Sequence, residues 1–459
     1  MLASDDNVTM KKIHNIRLRA FLFGLVFRVI LELINGRYPV GYDTNTHYVL
    51  KFVKMNLKEE LAYGFLYQYM MFFLGKLIGD VLLAIKIIAC MLSGLLIYTL
   101  YLWGEYNGLD RRDAFRFAIL CYLYFTVLRI MWDLHRNVLG LILAMMAIIK
   151  FKKSPIIAYL LAILAGFAHP WTIFVIGPAI TFEILKRNRK ALVLLACNSS
   201  TLLIAIYCRK VILRKTVIGY STVMGQTWYC PPALYPLYIV YLFGLLLPIV
   251  VIKARDIIKS VSMKDYNAGW LLSIVIAPLF VFGYRITLMA SIPLLLIIFK
   301  SVRDSRRLMR LLAMICIVSS ILYQPLAYMY PPFSDFRYTI GPTPFGSTFA
   351  PWDVRDIEAL FAIVKQMMNK STELLLHHSE ISVAYVAGVN ITRENVLIMH
   401  PDRTFDYYLD KELENYELVF IVWYIQPPPG SVRIPDRYKY GVVRRRGNFA
   451  IYMYFSKLS

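Results

Sequence analysis

Residues Arg17–Tyr48 read RLRAFLFGLVFRVILELINGRYPVGYDTNTHY, an apolar run followed directly by a polar stretch that contains an acid and an imidazole. The apolar part, residues 17–35, is about long enough to cross the hydrocarbon core of a bilayer, which takes roughly 20 residues. Asp43 and His47 then follow just outside the membrane. The stretch therefore predicts a spanning helix that delivers two ionisable side chains to one membrane surface.

Apolar runs of this kind recur through the first 330 or so residues. The 459-residue chain is 58% hydrophobic, and its mean hydropathy of +0.55 is far above that of a soluble globular protein. Since backbone in lipid must satisfy its own hydrogen bonds, these runs predict an all-α polytopic membrane protein. The net charge of +22 would indicate a nucleic-acid partner in a soluble chain. Here the basic residues cluster in short loops, so membrane orientation explains them and no nucleic-acid partner is expected.

Six basic clusters orient the predicted helices, because positively charged loops tend to stay in the cytoplasm. If all six clusters are cytoplasmic, the chain must cross the membrane twice between one cluster and the next. Three crossings before the second cluster, which begins at Arg111, would put that cluster and the loops that follow on the opposite side of the membrane. The run 61–79 is rich in tyrosine and glycine, so residues 44–79 are interpreted as juxtamembrane helices at the outer interface. The chain is then a multi-pass cell-membrane protein with a cytoplasmic N-terminus. About eleven transmembrane helices are predicted, at 17–35, 80–103, 113–130, 137–150, 155–168, 171–185, 190–208, 234–252, 267–283, 286–300 and 308–327.

The segment 331–459 differs in composition, with about half of the acidic residues in little more than a quarter of the chain. Strand-like runs alternate in it with two helix-like stretches, 353–369 and 403–415. The sequence therefore predicts a transmembrane domain, 1–330, and a small extracytoplasmic α/β domain, 331–459. The pair His377-His378 has no further ligand spacing around it and is assigned to the solvated surface. The strand-like runs are Asn395–His400, Glu417–Tyr424 and Asn448–Phe455.

Asp43 is the first candidate for chemistry. It follows Pro39 and Gly41, which end the helix and let the chain turn. A carboxylate there can accept a proton from an attacking hydroxyl or bind a divalent cation. The alternative is a helix N-cap, a position at which aspartate is preferred. His47 lies four residues on, on the same face of a helix that starts at Asp43, and is otherwise an ordinary surface histidine. Tyr42 and His47 are candidate substrate contacts beside the acid.

A second polar cluster, Trp132–Asn137, follows a later apolar run. Alternate residues of an extended loop point to the same side, so Asp133 and His135 could reach one metal or one sugar. Arg136 comes at the head of the next predicted helix, where a helix N-terminus with an adjacent arginine can bind phosphate. The alternative is an ordinary polar loop with Trp132 in the interfacial aromatic belt.

Two further loops fall on the same predicted face, His169-Pro170-Trp171-Thr172 and Gly283-Tyr284-Arg285. A lone arginine between two apolar runs is unfavourable unless it snorkels or finds an anion. Arg285 is therefore either a snorkelled anchor or a contact for a lipid phosphate. On the first helix, Arg28 and Glu32 are four residues apart and are predicted to pair with each other.

Taken in order, these motifs resemble the GT-C superfamily of polyprenyl-phosphate-sugar-dependent glycosyltransferases, particularly its archaeal members. Gly41-Tyr42-Asp43-Thr44 is similar to the acidic motif of the family's first outer loop, which juxtamembrane helices follow. Trp132-Asp133-Leu134-His135-Arg136-Asn137-Val138-Leu139-Gly140 resembles its second acidic site, and Tyr284-Arg285 its lipid-phosphate site. The resemblance covers the membrane part and extends to the last 130 or so residues only by position.

The resemblance implies Asp43 as general base or metal ligand, with Asp133 as its partner. Archaeal oligosaccharyltransferases of this superfamily use an Asp-x-His metal pair, which Asp133 and His135 match. A divalent metal, Mg²⁺ or Mn²⁺, held by these three residues is therefore implied as one alternative, since much of the superfamily works without a metal. The chain lacks the Trp-Trp-Asp-x-Gly acceptor motif, which favours a lipid or glycan acceptor over protein glycosylation.

The expected function is inverting transfer of a sugar from a polyprenyl (dolichyl) phosphate to an extracytoplasmic acceptor. Asp43 would deprotonate the acceptor, Arg285 and Arg136 would hold the donor phosphate, and His169 would contact substrate. The expected partners are that lipid-linked sugar donor, a lipid or glycan acceptor, and membrane lipid. The alternatives are a lipid-linked saccharide transporter or flippase, an oligosaccharyltransferase-like enzyme, and a receptor-like membrane protein. A transporter would need polar groups near the midplane and often internal repeats, whereas these polar residues gather at one face.

Overall fold

The computed structural model describes residues 3–41, 43–55, 60–61, 64–208, 235–260, 265–279, 283–329, 351–399, 404–427, 432–434 and 440–456. These residues divide into two compact units. The first unit takes Met1–Ile34 and Asn56–Ile340, and the second takes Asn35–Met55 and Gly341–Ser459. Tyr42, one of the candidate substrate contacts, lies outside the described residues.

Helices dominate the described residues and are numbered α1 to α20 in chain order. They are Ala3–Ile34, Val49–Val53, Leu66–Ile78, Val81–Tyr106, Arg111–Leu123, Phe125–Asp133, His135–Phe151, Pro155–Ala168, Ile173–Leu185, Arg189–Tyr207, Tyr235–Phe243, Leu247–Ile252, Ala254–Ser260, Tyr266–Leu271, Ser273–Ile276, Gly283–Val302, Arg306–Met329, Pro351–Met367, Ile381–Val386 and Phe405–Glu412. A π-helical turn, Thr44–Tyr48, precedes α2. Short 3₁₀ turns lie at Pro170–Thr172, Gly244–Leu246, Ala277–Leu279 and His378–Glu380.

Four helical stretches in the described part of the chain are long and apolar enough to cross a membrane. They are Val81–Tyr106, Arg189–Tyr207, Tyr235–Ile252 and Arg285–Val302, and α5 joined to α6 counts as a fifth although the two are bent by 68°. Several of the other predicted crossings, such as 155–168, are apolar helices that are shorter than a full span. The mostly helical membrane architecture is confirmed, but the count of eleven crossings is not.

The helices α1 and α4 pack closely because each has a glycine on the face that contacts the other helix. A Cβ on Gly24 of α1 would come 2.5 Å from the carbonyl oxygen of Ser93 on α4. A Cβ on Gly94 would come 2.8 Å from the ring of Phe21. The Ser93 hydroxyl also donates to the Gly24 carbonyl at 2.7 Å. Small residues that let two backbones approach are typical of helix pairs in membranes, where packing drives association.

The helix α3 lies where the sequence predicts a juxtamembrane element, and its end is set by local chemistry. Gly79 adopts a left-handed conformation with φ +80°, the usual cap at a helix C-terminus. Asp80 then caps α4, because its carboxylate accepts from the backbone amides of Leu82 and Leu83 at 2.8 and 3.1 Å. The chain therefore leaves α3 and enters α4 through a turn of two residues.

A five-stranded sheet forms the core of the second unit, in the order β2-β1-β3-β5-β4. Strand β1 runs parallel to β2 and β3, while β5 is antiparallel to β3 and β4. The apolar strand β3, LVFIVWY, is buried along most of its length, as a central strand must be. Helix α18 packs against β3, β4 and β5, and α20 packs against β1. The strands are Thr372–His377, Val396–Met399, Leu418–Tyr424, Tyr440–Arg446 and Phe449–Phe455.

The predicted α/β character of the C-terminal segment is confirmed, and three predicted strands and both predicted helices are present. The elements β1, β4 and α19 were not predicted. The assignment of His377-His378 to the solvated surface is wrong, because their exposed fractions are 6% and 5%. His377 ends the inner strand β1, and its ring packs against the ring of Trp423 at a centroid distance of 4.6 Å, which explains its burial.

Candidate functional site

The second polar loop of the sequence is a junction between two helices. Helix α6 ends at Asp133, and α7 begins at His135, so only Leu134 separates them. The prediction of an extended loop with Asp133 and His135 on one side is therefore wrong. The description of Asp133 stops at its backbone, and its side chain lies outside the described part of the structure.

His135 is fully buried at the start of α7 and is held by helix α3. Its Nδ1 lies 2.9 Å from the hydroxyl of Tyr67. The next residue of α3, Gln68, is also buried. Its side-chain amide can hydrogen-bond at both ends in only one orientation, and in that orientation its oxygen accepts from Nε of Arg136 at 3.3 Å. In that orientation its nitrogen donates to the Gly64 carbonyl at 2.7 Å. Helix α3 therefore fixes two successive residues of the α6–α7 junction.

His169 occupies the loop between α8 and the 3₁₀ turn Pro170–Thr172 and is 5% exposed. Its Nδ1 accepts from the backbone amide of Trp171 at 3.2 Å. Burial, together with the positive charges of Arg136 and Arg285, holds the pKa of the His169 imidazole well below its usual value. The two guanidinium groups therefore lie within electrostatic reach of one neutral imidazole.

Arg136 and Arg285 also resemble each other in position, because each lies in the first turn of a helix. Arg136 is the second residue of α7, and Arg285 is the third residue of α16. Helix N-termini carry partial positive charge and free backbone amides, so both arginines add full charges to sites that already favour an anion. The structure thus brings together three predicted substrate contacts, Arg136, His169 and Arg285.

Asp43 and His47 belong to the second unit, where Asp43 precedes the π-helical turn Thr44–Tyr48 and His47 lies within it. Asp43 Oδ1 lies 4.0 Å from His47 Nε2, as the spacing of four residues predicts. Asp43 occupies the N-cap position of this turn, but its carboxylate makes no side-chain cap hydrogen bond. A π-helical turn is rare and is often found at functional sites.

The turn that carries Asp43 is held by side chains of its own loop and of the C-terminal segment. Asn45 Nδ2 donates to the carbonyls of Pro39 and Gly41, both at 2.7 Å. The Ser382 hydroxyl donates to the Asn45 carbonyl, and the His378 ring packs against the His47 ring at an interplanar angle of 60° and a centroid distance of 4.5 Å.

An ion pair supports the same loop further upstream. Arg37 lies 3.3 Å from the carboxylate of Glu358 on α18, and the Tyr38 hydroxyl donates to the same carboxylate at 3.4 Å. These supporting residues were not predicted, because their partners are more than 300 positions apart in the sequence. The polar residues Tyr67 and Gln68, in contrast, stood out in an otherwise apolar run, and that was a usable signal.

The implied metal ligands are only partly described, because the Asp133 side chain lies outside the described part of the structure. His135 is buried, and its Nδ1 is engaged by Tyr67. Among the side chains that the structure describes, no three His, Cys, Asp or Glu groups gather closely enough to hold a metal ion.

No family model and no curated protein sequence matches this chain. Solved structures do match. ArnT from Cupriavidus metallidurans, bound to undecaprenyl phosphate, is 10% identical with a TM-score of 0.52, over 95% of this chain and 98% of that one. The apo state of ArnT gives a TM-score of 0.53 at the same identity and coverage. The chain has the GT-C fold.

The GT-C fold accounts for the mixed architecture described above, with apolar helices and a small C-terminal sheet in one chain. Arabinofuranosyltransferase AftD from mycobacteria also matches, at 13% identity and a TM-score of 0.48, although this chain covers only 41% of it. The apolar helices are those of a membrane protein.

Proposed function

We propose that this protein is a membrane glycosyltransferase that takes a sugar from a polyprenyl phosphate and transfers it to an extracytoplasmic lipid or glycan acceptor. The observation that carries the proposal is that Arg136 and Arg285, in the first turns of α7 and α16, both lie within electrostatic reach of the buried His169. Two cations and two helix N-termini around one neutral imidazole suit a phosphate group. The undecaprenyl phosphate bound to ArnT supports a polyprenyl phosphate as the source of that group.

In this proposal the donor phosphate binds to Arg136 and Arg285 while the polyprenyl chain stays in the bilayer. His169 carries no charge, so it can share a hydrogen bond with a phosphate oxygen without adding a third cation. The phosphate is also the leaving group, and its charge grows as the bond to the sugar breaks. Preorganised positive charge at that position lowers the barrier because it interacts more strongly with the transition state than with the bound donor.

The reaction that we assign is an inverting displacement at the anomeric carbon. The acceptor oxygen forms a bond to that carbon as the bond from carbon to phosphate oxygen breaks, and the electron pair of the broken bond passes to the phosphate. The hydroxyl proton of the acceptor passes to Asp43, which serves as the general base. His47 orients the Asp43 carboxylate, Tyr42 contacts the acceptor, and Asp133 is assigned as the second carboxylate of the site.

The test is a transfer assay with purified protein in lipid nanodiscs, a panel of radiolabelled polyprenyl-phosphate sugars, and a membrane-lipid extract as acceptor. Arg136→Gln and Arg285→Gln should each lower the rate by about 100-fold, the size expected when one transition-state contact is lost. Arg116→Gln is the matched control, since Arg116 is a surface residue that pairs with Asp113 three residues away. We expect that control to keep the wild-type rate.

Three outcomes would contradict the proposal. Movement of an intact lipid-linked saccharide across the bilayer would indicate a flippase, and neither movement nor transfer would indicate a receptor-like protein. Transfer to a peptide with an Asn-x-Ser/Thr sequence would indicate an oligosaccharyltransferase-like enzyme. Repeating the assay with a chelator, and with Mg²⁺ or Mn²⁺ restored, measures any dependence on a divalent metal.

A further inference from the structure

Helix α1 carries a buried ion pair that does not belong to the site described above. Arg28 and Glu32 are 1% and 4% exposed, and Arg28 Nε donates to Glu32 Oε1 at 2.8 Å. The Arg28 Nη2 atom lies 2.7 Å from the same carboxylate oxygen, so the predicted pairing is confirmed. Lys86 of α4 completes the cluster, because its Nζ donates to the Glu32 carbonyl at 3.0 Å and lies 4.0 Å from its carboxylate.

The guanidinium of Arg28 also reaches a second helix. Its Nη1 donates to the Met131 carbonyl at 2.9 Å, and its Nη2 donates to the Trp132 carbonyl at 3.0 Å. These are among the last carbonyls of α6, which have no donor within their own helix, and they form the negative end of its dipole. The residue that follows them directly is Asp133, and the junction to α7 comes next. One buried side chain of α1 therefore binds the backbone immediately before the second candidate acid.

We propose that Arg28 is a positioning residue for the α6–α7 junction, and that Glu32 and Lys86 hold its guanidinium in place. The planar guanidinium has donors on both sides, so it can bind a carboxylate with one edge and two carbonyls with the other. This division fixes the backbone of Met131 and Trp132 relative to α1. The inference rests on the proposed function, because the junction that Arg28 fixes carries Asp133 and Arg136.

The geometry distinguishes this role from simple stabilisation by an ion pair. A buried ion pair is often replaceable by apolar residues of similar volume with little loss of stability. The double substitution Arg28→Met with Glu32→Leu removes both charges of the pair, while Lys86 keeps its hydrogen bond to the backbone carbonyl of residue 32. If the pair only stabilised the fold, that variant would keep its catalytic rate. If Arg28 positions the junction, the variant should fold but have a lower kcat.

The matched control is a second ion pair on α1. Arg17 lies 3.0 Å from Glu105 of α4, and Arg17 is eleven residues from Arg28, about 16 Å along the helix. The double substitution Arg17→Met with Glu105→Leu removes the same two charge types from the same two helices that hold Arg28 and Lys86. We expect it to keep the wild-type kcat.

The experiment compares kcat and KM for the lipid-linked sugar in nanodiscs, after size-exclusion chromatography has confirmed a folded protein. The Arg28→Met/Glu32→Leu variant should lose at least tenfold in kcat, while its KM should change by less than about threefold. Arg28→Lys keeps the charge but cannot bind two carbonyls and a carboxylate together, so it should give an intermediate kcat. It also serves as the test variant should the double substitution fail to fold. A folded double variant with the wild-type kcat would overturn the proposal.

A readout without catalysis separates this inference from the proposed function. Amide hydrogen exchange over residues 128–138 should be at least several-fold faster in the Arg28 variants than in the wild type. The exchange over 128–138 should stay unchanged in the Arg17→Met/Glu105→Leu control. Fast exchange in a protein that shows no sugar transfer would leave the positioning role standing and remove the proposed function. Unchanged exchange in folded Arg28 variants would overturn the positioning role whatever the protein catalyses.

Discussion

Asp43 combines a sheltered carboxylate with a neighbouring imidazole, since its side chain is 13% exposed and His47 lies four residues on. The general-base proposal predicts that Asp43→Asn abolishes sugar transfer, because the amide cannot take the proton of the acceptor hydroxyl. The rate should fall by at least 100-fold in the purified, folded variant, as measured in the nanodisc transfer assay. Asp80→Asn is the control, because Asp80 caps α4 and asparagine is an equally good cap. Undiminished transfer by Asp43→Asn would refute the assignment.

Single residues were predictable where the partner is close in the chain. The Arg28–Glu32 pair and the Asp43–His47 pair both follow from a spacing of four residues on a helix. The burial of His377 did not follow from its neighbours in sequence, because it depends on Trp423, which is 46 positions further along. Local patterns therefore identified candidate residues, while their environment came from contacts that the sequence does not display.

At the scale of elements, the close approach of α1 and α4 predicts that a larger side chain in place of Gly24 lowers the stability of the protein. Gly24→Val should destabilise the protein by about 1–3 kcal/mol, because the added carbons meet the backbone of Ser93 rather than a flexible side chain. Thermal unfolding followed in detergent measures the change. Gly177→Ala is the control, since a Cβ there comes no closer than 3.5 Å to Leu195. Equal unfolding midpoints for Gly24→Val and the wild type would contradict this packing.

Glu373 on the inner strand β1 gives a prediction about the pH dependence of stability. Glu373 is buried on this strand, and burial, with a hydrogen bond and charge from Glu412, raises its pKa above the usual value of 4.5, although Lys411 opposes the shift. A carboxyl with a raised pKa in the folded state favours folding when it is protonated, so stability falls as the pH rises above about 4.5. Glu373→Gln should therefore unfold at a higher temperature than the wild type at pH 8 and at a similar temperature at pH 4.5.

The comparison that checks this prediction is the difference between the unfolding midpoints at the two pH values. Glu414→Gln, a change at an exposed carboxylate nearby, should leave that difference as it is in the wild type. A Glu373→Gln variant with the same pH dependence as the wild type would show that Glu373 does not titrate in this range.

Most elements of the fold were predictable from hydrophobic patterns, but the break between helices α5 and α6 was not. The predicted crossing 113–130 is divided at Tyr124, which has extended backbone angles of φ −66° and ψ 130°. No proline or glycine marks this position in the sequence. The Tyr124 hydroxyl donates to the Leu242 carbonyl at 2.5 Å, and the Phe125 amide donates to Ser319 at 3.4 Å. Distant helices therefore satisfy the polar groups at the break, and such tertiary contacts leave no trace in local periodicity.

At the scale of the whole molecule, the division into two units places Asp43 with the C-terminal segment. Removal of residues 341–459 should therefore abolish transfer even if the first unit still inserts into membranes. The reason is that Asn35–Met55 would lose Glu358, His378 and Ser382, which hold it in place. Limited proteolysis should then cleave within 35–55 much faster than in the full chain. A truncated protein that transfers sugar at the normal rate would contradict this dependence.

A milder change tests the same dependence in the full-length chain. Glu358→Gln removes the ion pair with Arg37 and weakens the bond from Tyr38, so we expect a partial loss of rate and faster cleavage within 35–55. Glu417→Gln, at an exposed position of the same unit, should change neither quantity.

The 321 positions between Arg37 and Glu358 also matter while the protein is being made. Ribosomes add about 5–20 residues per second, so the nascent Asn35–Met55 segment would wait roughly 15–60 seconds for its packing partners to emerge. During that interval the segment lacks the contacts with Glu358, His378 and Ser382 that hold it in the folded protein. Pulse-labelled chains should therefore become protease-resistant within 35–55 only after synthesis has passed Ser382, and earlier protection would exclude this order of assembly.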